Sequence, residues 1–369
     1  MQTTLDNGLL LISHPLTNAH RVTLGLFLPS GALHDPAGQA GISHLAEHLC
    51  FRSPAGETQA DFYRRIESIG GHLRAATYLH HTVFELTVLP RHFGAALDIV
   101  YRLFPPNDWT NEDVRREKAI IQQERRGQGF DYCRELLRRY DRRSAILGSE
   151  SSVTRLTKPQ IQQRKTQMFR PEGAVMVITG QLSENDLQSA QERLAAIPVS
   201  PLSAPAKRWR QPARFRQRGG SDDSLYVDDT DMAWLGLTFD LAAETAASRE
   251  LDFLCSAMAT GLYSPLLLPL REKLALIDSI QQGWDYCAGG SVVYLGLETG
   301  QEQLPELLDQ LAILLPELAA GLAEDYFSLT QACFATSQAA LLDDPQKLAY
   351  RLGELALAGE PLQDERGEL

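Results

Sequence analysis

The stretch PVSPLSAPAKRWRQPARFRQRGGS, residues 198–221, splits the chain, because the order of hydrophobic segments before it returns after it. It holds four prolines, two adjacent glycines, six basic residues and no acid. Proline offers no backbone N–H to a helix or a sheet ladder, so such a run reads as an interdomain linker or a strand-edge connector. Its charge reads as that of a solvated connector in preference to a patch for an acidic partner. Ahead of it, RVTLGLFLPSG (21–31) alternates apolar and polar residues before a glycine turn, the pattern of a half-buried strand. HLRAATYL (72–79), HTVFELTVLP (81–90) and AVMVITG (174–180) read as further strands. Helices are expected over 41–51, 58–71, 92–104, 110–126 and 183–197, with Thr110 and Ser183 as N-caps.

After the break the pattern restarts. DMAWLGLTFD (231–240) reads as strand, SRELDFLCSAMAT (248–260) as helix, GGSVVYLGLETG (289–300) as strand and LPELLDQLAILLPELAAGL (304–322) as helix. The echo predicts an α+β protein made of two tandem copies of one domain. The expected boundaries are a first domain over 1–198, a linker over 199–221 and a second domain over 222–369. The second copy has only about 150 residues against about 200 for the first. It ends in LGELALAGEPLQDERGEL (352–369), an acidic helix-like tail with nothing after it to pair as a last strand.

Of the 369 residues, 44% are apolar and 22% charged, the balance of a globular protein. A net charge of -12 argues against nucleic-acid and anionic-membrane partners. No run of about 18 apolar residues is present, so no membrane span is expected. The start, MQTTLDNGLLLISHPL, lacks the charged, apolar and small-residue segments of a secretion signal. Five cysteines (Cys50, Cys133, Cys255, Cys287, Cys333) are scattered without a CxxC pair, as in a reduced, cytoplasmic protein.

All nine histidines lie in the first 92 residues, so histidine chemistry belongs to the first part of the chain. Within GISHLAEHLCF, His44 and His48 are four apart, which on a helix stacks them on one face with β-carbons about 6 Å apart. Two imidazoles at that spacing reach one ion, and Glu47 beside them is placed to accept a proton. The alternative is an ordinary amphipathic helix with two satisfied histidines. The spacing HxxEH is the reverse of the HExxH of many zinc proteases. Such a hydrolase needs a third protein ligand and an open fourth position. Candidates stand on the helix over 110–126, where Glu117 and Glu124 are two turns apart and share a face. On a helix rich in Arg and Glu, that is also the look of a solvated face. Ile120 and Ile121 are expected to turn inward, which puts Glu124 on the same inward stripe.

SGALHDPAGQAGISHLAEHLCFRSP (30–54) resembles the motif segment of the pitrilysin/insulinase family of inverzincin zinc peptidases. GGHLRAATYLHHTVFELTV (70–88) is similar to the family's edge-strand motif, GGxxNAxTxxxxTxF/Y. VRREKAIIQQE (114–124) resembles its distal-glutamate helix, and MFRPEGAVMVITGQLS (168–183) its Y-x-P-x-N-hydrophobic-G segment. The four motifs follow in order over most of residues 1–200. The resemblance implies one Zn2+ per chain, held by His44, His48 and Glu124. It implies Glu47 as the general base and Glu117 as a residue hydrogen-bonded to a ligand. It also implies that the strand around Arg74–Tyr78 takes an extended peptide as an added strand. The implied fold is a pair of α/β-sandwich domains forming half of a clam-shell peptidase chamber. A second half-chamber subunit, identical or different, is then an expected partner, as in mitochondrial and bacterial processing peptidases.

Two positions depart from that pattern. Arg74 stands where the family has Asn, and an arginine there would select an acidic substrate group. In TGLYSPLLLPLREKLALIDSI (260–280), Arg271 matches the arginine that helps bind the substrate carbonyl, but Asp278 replaces its tyrosine partner and Ala275 a glycine. An ionised carboxylate donates no hydrogen bond, so the clamp is incomplete in this chain. The expected function is a zinc endopeptidase subunit that cuts short or unfolded peptides, such as a ribosomally made precursor. The competing reading is a non-catalytic scaffold subunit of the same fold. His72, His80 and His81 are expected to be surface or satisfied histidines, and His34 receives no role.

Overall fold

The computed structural model describes residues 1–52, 54–127, 146–199, 231–241, 248–287 and 290–362. The linker placed over 199–221 lies outside these residues beyond Val199, as does Cys133. The described chain falls into two compact units, one of which takes everything up to residue 199 and the stretch from Ala339 onward.

The first unit is built on β1 (Gln2–Thr4), β2 (Leu10–Pro15), β3 (Val22–Leu28), β4 (His72–Thr77), β5 (Thr82–Val88) and β6 (Val175–Gly180). Its helices are α1 (Ile42–Cys50), α2 (Gln59–Ser68), α3 (Phe93–Tyr101), α4 (Asn111–Gly127), α5 (Glu150–Arg155), α6 (Lys158–Met168) and α7 (Glu184–Ala195). The six strands make one mixed sheet in the order β1-β2-β6-β3-β5-β4. Only β2 and β6 run parallel; the other pairs are antiparallel. The sheet therefore ends on β4, an edge strand. Thr110 and Ser183 cap their helices as expected, each accepting the backbone N–H three residues on.

On β3, Val22, Leu24, Leu26 and Leu28 point to one face and join a core with Ile42, Leu45 and Leu49 of α1. The alternation predicts a half-buried strand, yet all seven residues of β3 are buried. The cover on the other face comes from the C-terminus. The last helix, α11 (Pro345–Ala358), lies across β3 and β6 of this sheet. Its Leu348, Ala349, Leu352 and Leu357 pack with Phe27, Val83, Val175 and Val177. Gly353 makes that approach possible, because a β-carbon there would stand 2.3 Å from the Phe27 ring. Thr179 on β6 donates to the Pro345 carbonyl at 2.5 Å. The second domain predicted over 222–369 is corrected accordingly: its C-terminal part belongs to the first unit. The tail beyond Leu362 lies outside the described residues.

The second unit contains β7 (Met232–Leu241), α8 (Ser248–Ala259), β8 (Ile280–Cys287), β9 (Gly290–Gly300) and α9 (Leu304–Ala320). It also takes most of α10 (Glu324–Asp343), and a π-helical segment, Leu268–Lys273, precedes β8. The described strands pair in the order β7-β9-β8, all antiparallel. That reproduces β3-β5-β4 of the first unit, and each set interposes a helical stretch after its first strand and a helix pair after its last. The duplication inferred from the sequence is thus a duplication of topology. Among the described residues, no helix is long and apolar enough to cross a membrane.

Candidate metal centre

Helix α1 is buried almost all round, with only His48 half-exposed. Its apolar residues Ile42, Leu45, Ala46 and Leu49 fill the core, and its polar row carries His44, Glu47 and His48. Helix α4 lies beside it. Along α4, Val114, Glu117 and Ile121 are buried and Glu124 is half-buried, an inward stripe at helical spacing. Ile120, expected to turn inward with Ile121, is instead 41% exposed, because one residue is a rotation of about 100° on a helix.

The two helices bring His44, His48 and Glu124 together, with one donor atom from each within 4.8 Å of the others. Glu124 Oε2 lies 3.8 Å from His44 Nε2 and 3.6 Å from His48 Nε2. The two imidazoles meet edge to face, their centroids 4.5 Å apart. Bonds of about 2.0–2.1 Å in a tetrahedron put ligand atoms roughly 3.3 Å apart, so the observed gaps fit zinc with little adjustment. The charge balance fits as well, since Glu124 pushes the neighbouring Glu47 carboxyl up and a cation relieves that repulsion.

Glu117 sits between two donors. His48 Nδ1 is 3.1 Å from its Oε2, and Arg52 Nε donates to its Oε1 at 2.6 Å. Burial works against ionisation of Glu117, but the bonds from His48 and Arg52 outweigh it and hold the carboxyl below its ordinary value. An ionised acceptor makes His48 Nδ1 the protonated nitrogen and leaves the Nε2 lone pair for a metal. Glu47 is 5% exposed and accepts a hydrogen bond from Thr77 Oγ1 at 2.8 Å. Burial pushes its carboxyl up to about 7, against the pull of His48 and Thr77. A carboxyl poised there both takes and returns a proton at neutral pH.

Five of the six residues singled out in the sequence therefore form one cluster: His44, His48, Glu124, Glu47 and Glu117. The sixth, Arg271, belongs to the second unit, where its guanidinium is 3.0 Å from Glu272 and 3.6 Å from Asp278. Arg74 is exposed on the edge strand opposite Glu85 of β5. His72 is exposed and His81 is buried, stacked on Tyr78 with centroids 4.7 Å apart. Thr77 and Arg52 were not assigned roles by the sequence. Both belong to quoted motif segments, but their partners emerge only when the edge strand and α4 close on α1.

A buried carboxylate beside two imidazoles and a third donor, the Glu124 carboxylate, is the set of groups that a metal-dependent hydrolase uses. Residues 11–147 match the insulinase family of peptidases, M16, and residues 155–332 match the M16 inactive domain. The chain belongs to this family of zinc peptidases. It is 23% identical to an uncharacterized zinc protease of Mycobacterium tuberculosis over 371 aligned positions, covering 96% of this chain and 83% of that one. A probable mitochondrial-processing peptidase subunit beta of Arabidopsis thaliana is 24% identical over 363 positions, 95% of this chain and 64% of that protein. The crystal structure of a protease from Helicobacter pylori superposes with a TM-score of 0.86 at 16% identity, over 98% of this chain and 89% of the other.

Proposed function

We propose that this chain is the metal-bearing subunit of a zinc endopeptidase that cuts short or unfolded peptides inside an enclosed chamber. The observation that carries the proposal is the convergence of His44, His48 and Glu124 beside a buried Glu47. When bound, zinc supplies a Lewis acid for the scissile carbonyl and lowers the pKa of the attacking water. Thr77 holds Oε2 of Glu47, which assigns proton transfer to Oε1. Glu47 takes the proton of the attacking water there and hands it to the leaving amine. Glu117 keeps His48 in the ligating tautomer.

Substrate enters as a strand. β4 is an outer strand of the sheet and ends at Thr77, the residue bonded to Glu47. An extended peptide added to that edge brings its backbone to the cluster, with main-chain hydrogen bonds supplying affinity. A precursor peptide, threaded unfolded, fits this mode of entry.

A second half-chamber subunit, identical or different, completes the enzyme in this reading. The support is Arg271, whose charge is shared by Glu272 and Asp278, and the likeness to a protein named as a subunit. The same ion pairs favour a second reading, a scaffold subunit without activity. Incubation of the zinc-loaded chain with a mixed peptide library separates the two. Cleavage that falls about a hundredfold or more in Glu47→Gln is expected. Cleavage unaffected by Glu47→Gln contradicts the assigned base, and zinc without cleavage under any pairing supports the scaffold.

A further inference from the structure

The motif helix cannot cap itself. Its N-cap is Gly41, at φ +88°, and a β-carbon there would stand 2.9 Å from the Leu147 carbonyl. Ser, Thr and Asp, the residues that cap helix N-termini with their own side chains, are therefore excluded from that position. The cap comes from Asp35 instead. Its Oδ2 accepts Gly41 N–H at 2.8 Å, and its Oδ1 accepts Ser43 N–H at 3.2 Å and the Ser43 hydroxyl. Behind Asp35 stands Arg164 of α6, 6% exposed and 3.8 Å from the carboxylate. Arg164 donates to Ser43 Oγ from Nε at 3.0 Å and from Nη2 at 2.8 Å, and to Ser30 Oγ at 2.8 Å. A bare guanidinium at a helix N-terminus opposes the helix dipole; Asp35 between them makes it tolerable.

The other end of α1 is held from the same helix. Lys165, the next residue on α6 and 4% exposed, donates to Asn107 Oδ1 and to the Pro105 carbonyl. Asn107 in turn donates to the carbonyls of Cys50 and Arg52 at 3.3 and 2.6 Å, where α1 ends. The Trp109 indole donates to Leu49 O at 2.8 Å. Adjacent residues on a helix project about 100° apart, which lets Arg164 and Lys165 reach opposite ends of a helix packed across α6.

We propose that Arg164 and Lys165 are positioning residues for the metal centre, fixing α1 along its axis so that His44 and His48 face Glu124. Stability alone does not account for the Asp35–Arg164 pair. Buried ion pairs exchanged for neutral or apolar groups of the same shape leave stability about the same or higher. What charge and directed bonds add here is position. A slip by one residue moves α1 by about 1.5 Å, which is large beside the gaps between the three donors.

The inference rests on the zinc reading of the site. Its test is the apparent zinc affinity of the full chain by chelator competition, with the thermal midpoint of the metal-free protein and the visible spectrum of the cobalt(II)-loaded protein in parallel. The variants are Asp35→Asn with Arg164→Gln, and Lys165→Met. Zinc binding about tenfold weaker, with altered cobalt bands in the folded protein, is expected for each. Arg164→Lys, which keeps the charge on a single donor nitrogen, is expected to fall between wild type and Arg164→Gln. Wild-type affinity and spectrum with a lowered midpoint would show a structural role only and overturn the inference. If the variants fail to fold, Ser43→Ala removes the hydroxyl that bridges Asp35 and Arg164, leaving only their 3.8 Å ion pair, at small cost in volume. Zinc affinity unchanged in Ser43→Ala then overturns it. A wild-type chain that binds no zinc removes the site reading itself, and the inference with it.

Discussion

Glu117 and Glu124 share one face of one helix and divide the labour on His48. Glu117 Oε2 is 3.1 Å from its Nδ1, and Glu124 Oε2 is 3.6 Å from its Nε2. From positions two turns apart on α4, the two carboxylates approach the two nitrogens of one imidazole.

Glu117→Gln keeps an acceptor for His48 but loses the charge that Arg52 and His48 both meet. Zinc affinity is expected to fall about 10- to 100-fold, as it does when such outer partners of ligating histidines are removed. Chelator competition on the folded variant reads this directly. Unchanged affinity would mean that Glu117 does not orient His48.

Gly41→Ala forces a side chain into a left-handed backbone and against the Leu147 carbonyl. The backbone cost alone is about 1–2 kcal/mol. Urea unfolding is expected to show at least that loss, together with weaker zinc binding because α1 must shift. A variant as stable as wild type would contradict the observed N-cap geometry.

His81 carries a pH dependence. Burial against Phe27, Tyr78 and Tyr350 holds its imidazole down at about 3, so it folds neutral. Above about pH 6.5 neither the folded nor the unfolded chain protonates it, and its contribution is complete. Below that, the unfolded chain takes up the proton first, and stability falls by about 1.4 kcal/mol per pH unit until the folded group titrates. Urea midpoints of wild type and His81→Phe at about pH 7, 6 and 5 should diverge in slope, with the variant less acid-sensitive. Parallel curves would refute the assignment.

Leu352→Ala tests the placement of the C-terminal helix. Leu352 is 1% exposed and packs with Phe27 and Val177 of the first unit's sheet. The cost is expected at about 2–5 kcal/mol. An effect below about 0.5 kcal/mol, normal for a surface site, would contradict the packing of α11 on that sheet.

Much of the site was legible because its elements are local. HxxEH needs only one helix, and Glu124 lies on the same helical stripe as Glu117 and Ile121. Strand and helix periods in both halves announced the duplication, which the order β7-β9-β8 bears out. What escaped was non-local. A helix-like tail such as 352–369 does not say which sheet it packs on, so the helix Pro345–Ala358 fell within the predicted second domain but packs on the first sheet. The cap from Asp35 and its support from Arg164 leave no periodic trace, because each is a contact between segments distant in sequence. The strand 22–28 misled for the same reason: its Thr23 and Gly25 face another element, not water.

His44, His48 and Glu124 are proposed to hold one metal ion. Elemental analysis of zinc per chain, on wild type and on Glu124→Gln purified alike, tests it most directly. One zinc per wild-type chain, with the content clearly reduced in the variant, is the expected result. No zinc in wild type, or an unchanged content in Glu124→Gln, would contradict it.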